Sequence, residues 1–238
     1  MSNLTSPHSV RKLGNHYGLL VYDLDGTLLE TLEDLARAID VAFQGRGHGR
    51  VELPRVKASI GDGARSLVQR LLPAGCDESE LDAVLEAFRI AYLEVCCESS
   101  CWLPGAREFV EARAAEVPGR LQAILTNKPQ APTDRLVRHL GMDRWIARAI
   151  GGDTSLGKKP QTGGLRELMR WAGVPPERTL MIGDGPADLL VARDSGVDAV
   201  LLTTGYGQPH ETEGLPALVR APDLRDLAGI WPCDPSGR

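Results

Sequence analysis

The run Leu19-Leu20-Val21-Tyr22 leads straight into Asp23-Leu24-Asp25-Gly26-Thr27, and no other junction in the chain restricts its fold as much. Consecutive apolar residues that end at an acidic, glycine-containing turn suit a strand buried on both faces, as in a parallel sheet. Three further runs read the same way: Leu121-Gln122-Ala123-Ile124-Leu125, Thr179-Leu180-Met181-Ile182 and Ala199-Val200-Leu201-Leu202. Helical patterns lie between the second and third runs. One spans about Ala131 to Leu140 and stops at Gly141; another, Gly164 to Trp171, precedes Gly173 and Pro175. Strands alternating with helices predict an α/β fold with a doubly wound parallel sheet.

One region departs from the alternation. From Thr31 to about Trp102 the patterns are helical, with no convincing strand. Leu32, Leu35, Ala36, Ile39 and Phe43 share one face, as do Leu67, Val68, Leu71 and Leu72. Leu81, Val84, Leu85, Phe88, Tyr92 and Val95 form a longer stripe. Three stripes can bury one another as a small bundle. The expected organisation is therefore a core of residues 17–30 and 103–231 and an inserted helical unit of residues 31–102, with re-entry at Leu103-Pro104-Gly105. Residues 1–16 and 232–238 are expected to be loose ends.

A chain of 238 residues can bury such a core without disulfides or structural metals. Its net charge of −5, without a basic stripe, argues against nucleic-acid binding. An anionic substrate would then be held by local positive charge, since the overall field is unfavourable. The five cysteines are odd in number, and Cys96, Cys97 and Cys101 lack the paired spacing of a zinc site. No apolar run reaches the length of a membrane span, and residues 1–16 lack a signal-peptide core, so a cytoplasmic location is expected.

Ligands of open parallel sheets sit beyond the carboxyl ends of the strands, which places the Asp23–Thr27 turn where chemistry would occur. Two carboxylates two residues apart, on a turn tightened by Gly26, can point into one crevice. A bare DxD would more simply be an Asx turn capping the next helix. The full Asp-x-Asp-Gly-Thr after an apolar strand is far more specific.

With this motif the sequence resembles the haloacid dehalogenase superfamily. Thr126-Asn127 ends the second strand as the second family motif does. Lys159-Pro160 precedes a helix as the third does. Gly183-Asp184-Gly185, with Asp188, follows the third strand as the acidic fourth does. Further segments look like bacterial phosphoglycolate phosphatases: Leu103-Pro104-Gly105, Thr126-Asn127-Lys128-Pro129, Gly151-Gly152-Asp153-Thr154, Lys158-Lys159-Pro160 and Ile60-Gly61-Asp62-Gly63-Ala64. The resemblance implies a Rossmann-like core with an all-helical cap between the first and second motifs, and roughly a hundred residues there leave room for one.

It also implies a magnesium-dependent phosphatase acting on a small phosphorylated metabolite. Asp23 would attack phosphorus, and Asp25 would serve as general acid and then base. Asp23 would be ionised at neutral pH without help, given an ordinary carboxyl pKa near ~3.9. The metal ligands would be the Asp23 and Asp184 side chains and the Asp25 carbonyl, leaving positions for phosphate and water. Lys159, or Lys158 if the register slips by one, would offset charge on Asp23 and the phosphoryl group. Thr126 and Asn127 would cradle the phosphate, with Thr27 and Asp188 in support. As an isolated feature, Thr126-Asn127 would read as a helix cap, and Asp188 as a first-turn acid.

Two departures stand out. The third motif lacks the common second proline, reading Lys159-Pro160-Gln161-Thr162, which should loosen that loop. The fourth has Gly185 where a hydroxyl residue is usual. Substrate choice should lie in the cap, where Gly61, Asp62 and Arg65 could reach the crevice and Arg65 could meet a carboxylate such as that of phosphoglycolate. Asp62 could equally cap the helix while Arg65 faces solvent. A phosphosugar mutase, a nucleotide or pyrophosphate hydrolase and a non-catalytic binding module share these motifs, whereas a dehalogenase has no need of Asp25. Oligomeric state is not legible.

Overall fold

A computed structural model describes residues 13–117 and 119–231. Most of the expected loose ends, residues 1–12 and 232–238, lie outside the described residues. The sequence reading extended the N-terminal loose segment too far, however. Leu13 is fully buried against the core, and Arg120 ties down the Gly14 carbonyl at 2.5 Å. One apolar residue was too little sequence signal to mark this anchor.

The core is a six-stranded parallel sheet with helices on both faces. Its strands are β1 (Leu19–Tyr22), β4 (Leu121–Leu125), β5 (Arg148–Ile150), β6 (Thr179–Gly183), β7 (Asp198–Leu202) and β8 (Val219–Ala221), in the order β5-β4-β1-β6-β7-β8. The edge strands β5 and β8 have three residues each, too short to show a pattern, and the sequence reading missed both. Side-chain alternation explains the two layers. Leu20, Tyr22, Ile124, Leu180, Ile182 and Val200 enter one core with helices α5 (Ala106–Glu116), α6 (Gln130–His139) and α9 (Leu224–Ile230). Leu19, Val21, Ala123, Met181 and Leu201 enter the other with α7 (Gly163–Ala172) and α8 (Pro186–Ser195). Both faces of β1 are therefore dry, which is why all four of its residues are apolar.

The insert contains helices α1 (Leu32–Gln44), α2 (Leu53–Lys57), α3 (Ala64–Leu71) and α4 (Glu78–Val95). The three sequence stripes meet in a separate cluster that includes Leu35, Ile39, Phe43, Val68, Leu85 and Phe88. The insert is joined to the core through a short antiparallel pair, β2 (Leu29–Glu30) with β3 (Cys101–Trp102), in the register Leu29 to Trp102 and Glu30 to Cys101. The sequence reading had no strand here, because two residues cannot show a period. Buried Asp34 fastens the same root, accepting the backbone amides of Ser99 and Ser100 and the Ser100 hydroxyl.

Candidate active site

Strand β1 has β4 on one side and β6 on the other, so successive connections leave it in opposite directions. A crevice opens at such a switch point beyond the strand ends. Asp23 follows β1, Thr126 follows β4 and Asp184 follows β6, which brings residues far apart in sequence to one mouth. Gly26 makes the closure possible: its φ is +80°, and a Cβ there would lie 2.6 Å from an Asp184 carboxylate oxygen.

The charged residues form two buried groups. In the first, Lys159 Nζ lies 2.8 Å from Asp23 Oδ1 and 2.6 Å from Asp188 Oδ1. Asp23 Oδ1 also accepts the Leu24 amide at 2.7 Å. Asp188 accepts the Gly185 amide on its other oxygen at 3.0 Å, so it caps the first turn of α8 and also holds Lys159. Asp184 is fixed by the Thr27 hydroxyl at 2.7 Å and by the Tyr206 and Gly207 amides at 2.7 and 3.1 Å. Thr27 thus brings a hydroxyl to Asp184, beside the motif position where Gly185 has none.

In the second group, Lys128 Nζ contacts both Asp25 oxygens at 2.7 and 2.8 Å, and the Thr31 hydroxyl donates to one of them at 2.7 Å. Lys128 is also 4.7 Å from the ring centre of Tyr92, a cation–π contact.

Burial dominates the electrostatics. It pushes Asp23 up to about 7; Lys159 opposes the shift, while Asp188 and Asp184 add to it. Asp184 is pushed up to about 6, first by burial and then by Asp188, against the Thr27, Tyr206 and Gly207 hydrogen bonds. Burial also works against the Lys159 charge, but Asp188 and Asp23 outweigh it and hold the ammonium above the ordinary lysine range. The sequence expectation that Asp23 ionises unaided is therefore corrected. Desolvation and two neighbouring carboxylates raise its pKa above the ordinary carboxyl range in the metal-free site.

The donor set fits a divalent cation. Asp23, Asp184 and Asp188 each place a carboxylate oxygen within 4.8 Å of the others. Once ionised, three carboxylates facing one lysine leave two negative charges uncompensated in a buried site, and hard oxygen donors suit a hard cation. Asp23 takes its contacts from Leu24 and Lys159 on Oδ1, whereas both oxygens of Asp184 and both of Asp188 accept hydrogen bonds, so Asp23 Oδ2 is the best-placed direct ligand atom.

The cap rests on this mouth. The Asn127 side-chain amide donates to the Gly61 carbonyl at 2.9 Å and to the Lys159 carbonyl at 3.1 Å, while its oxygen accepts the Lys159 amide at 2.7 Å. The Asn127 side chain thus braces Lys159 and the cap tip, while the residue lines the cavity beside Thr126, Asp23 and Asp25. Lys158 donates to the Asp62 carbonyl at 2.6 Å, so of the two candidate lysines it is Lys159 that reaches Asp23. Thr126 lines the cavity with Asp23 and Asp25, as does Gly61. Asp62 pairs with Arg70 through its carboxylate. Arg65 does not line the cavity: it pairs with Glu78 and Asp82 on the exposed side of the cap, where those acids outcompete the crevice. As site residues, Lys128, Thr31, Tyr92 and Tyr206 escaped the sequence reading. Only Lys128 carried a signal, as a cation directly after the second motif.

The fold and this site define a capped, doubly wound α/β protein with a buried carboxylate–lysine site of the kind that enzymes use. Comparison with known proteins specifies the family: residues 17–196 match the haloacid dehalogenase-like hydrolase model, and the chain belongs to that family. A phosphoglycolate phosphatase of Pseudomonas putida is 35% identical over 215 residues, covering 88% of this chain and 78% of the relative. Phosphoglycolate phosphatase 1 of Pseudomonas aeruginosa is 35% identical over 216 residues, with the same coverage of both chains. Among solved structures, a predicted phosphoglycolate phosphatase from Haemophilus somnus aligns with a TM-score of 0.83 at 28% identity, covering 91% of this chain and 98% of that one. Among the described residues no helix is long and apolar enough to cross a membrane.

Proposed function

We propose that this phosphoric monoester hydrolase cleaves 2-phosphoglycolate, or an ester of similar size, in a magnesium-dependent reaction through an aspartyl-phosphate on Asp23. The observation that carries the reading is the 2.8 Å contact between Asp23 and buried Lys159, beside Asp184 and beneath a cap. The names of the relatives support the substrate. Magnesium, when bound, would neutralise phosphate charge, with the Asp23 and Asp184 carboxylates and the Asp25 carbonyl as its protein ligands.

Leu24 and Lys159 both bond Oδ1 of Asp23 and so fix the carboxylate's orientation. An Asp23 oxygen forms the new bond to phosphorus as the ester P–O bond breaks. Asp25 delivers a proton to the leaving alcohol, then takes one from the water that attacks the aspartyl-phosphate, releasing phosphate and regenerating Asp23. Lys159 balances charge on Asp23 and the phosphoryl oxygens, and Asp188 keeps it in place. The apolar cap excludes bulk water, and its opening would release product.

Phosphate release from a panel of small esters, with and without magnesium, tests the reading. Release should require the metal, and Asp23→Asn should lower kcat by roughly a thousandfold or more. Equal turnover by that variant would remove the nucleophile and the mechanism with it.

A further inference from the structure

The cavity between Asp25 and the cap has one unusual chemical feature. Its cap wall is apolar, formed by Leu35, Ile60, Leu67, Phe88 and Tyr92. Lys128 is the one cationic side chain among the described residues that line it, and it is only 5% exposed. Nearby cations are engaged elsewhere: Arg65 by Glu78 and Asp82, Arg70 by Asp62, and Lys158 by a cap carbonyl.

We propose that Lys128 is the residue that selects the substrate, binding a carboxylate carried next to the phosphorylated oxygen, and that the preferred substrates are short 2-phospho acids. This deepens the phosphatase reading above and rests on it. A lysine ammonium has three donors, and the two Asp25 oxygens account for two of them, which leaves a third for the substrate.

The distances set the chain length. An ester oxygen that takes a proton from Asp25 must come within about 3 Å of that carboxyl. Asp25 in turn lies 2.7 Å from Lys128 Nζ. A carboxyl carbon two bonds beyond the ester oxygen is only about 2.4 Å from it, so its oxygens fall within reach of Nζ. A longer alcohol would carry its carboxylate past Lys128 into the apolar wall, where an unpaired charge is strongly disfavoured. Tyr92 keeps the ammonium in place through its ring face, so a substrate carboxylate would meet a fixed partner.

The test compares kcat/KM for 2-phosphoglycolate with that for 2-hydroxyethyl phosphate, which has the same backbone and no carboxylate. The wild-type enzyme should favour the acid by on the order of 100-fold. Lys128→Met should abolish most of that ratio, lowering the acid substrate's kcat/KM far more than the neutral ester's. Lys128→Arg, which keeps the charge, should retain a preference for the acid, and it carries the comparison if the Met variant does not fold. Equal losses on both esters would overturn the proposal, making Lys128 a support for Asp25 only. A wild-type enzyme that cleaves the neutral ester as well as the acid would also overturn it, while leaving the phosphatase reading intact. If neither ester is cleaved, both ideas fall.

Discussion

Lys159 and Asp188 form a buried ion pair, Nζ to Oδ1 at 2.6 Å, with both side chains 2% exposed. The pair lies within a cluster in which Asp23 and Asp184 add further negative charge. Its worth to the fold is thus set by what each member would meet without the other.

Removing the lysine leaves three carboxylates in a space too dry to solvate them. Breaking a buried pair from one side commonly costs about 3–5 kcal/mol. Lys159→Met should therefore lower metal-free stability by about that amount at pH 8. The deficit should shrink in mild acid, where the carboxylates can take up protons. Urea denaturation at the two pH values reads both effects, and an unchanged midpoint at pH 8 would show that the pair contributes nothing.

A second prediction concerns pH itself. Asp23 at about 7 and Asp184 at about 6 bind protons in the folded state that the unfolded chain has already released. Stability from these groups is complete below the ordinary carboxyl range and is lost as pH rises through about 6 to 7. Metal-free protein should accordingly lose roughly 3 kcal/mol or more between mild acid and pH 8. A divalent ion binds the deprotonated carboxylates, so magnesium should raise Tm more at pH 8 than at pH 5.5. Calorimetry with a chelator and with magnesium gives both curves. A magnesium shift that is larger in acid would contradict the assignment.

How much of this was legible in the sequence follows from signal length. Strands β1, β4, β6 and β7 have four or five residues and were readable as apolar runs; β5 and β8, at the sheet edges, were too short. Asp23, Asp25, Lys159 and Asp184 were readable because a motif keeps their spacing. Residues whose role depends on the cap meeting the core were not. The bracing of Lys159 and the cap tip by the Asn127 side chain is one such role, and for Arg65 the sequence left a substrate contact and a solvent-facing position both open, where the structure has it pairing within the cap. Tyr206, 22 residues beyond Asp184, holds that carboxylate through a backbone amide, an interaction no residue type announces.

Tyr92 provides the third prediction, because its two ends have opposite fates. The ring is 2% exposed, stacks on Phe88 with centroids 5.5 Å apart and lies under Lys128. The hydroxyl is buried and has no hydrogen-bond partner among the described residues. A buried polar group without a partner forfeits its hydration, a penalty of about 1–3 kcal/mol. Tyr92→Phe removes that penalty while keeping the stacking and the cation–π face, so it should stabilise the protein by about 1 kcal/mol. Tyr92→Leu keeps neither aromatic contact, so it should destabilise, by about 1–2 kcal/mol from those losses. The opposite signs matter more than the sizes, since a purely steric role for Tyr92 would make both variants neutral or worse. Urea midpoints at a constant m-value distinguish the cases. Destabilisation by Tyr92→Phe would mean that the hydroxyl forms a bond worth more than the cost of burying it.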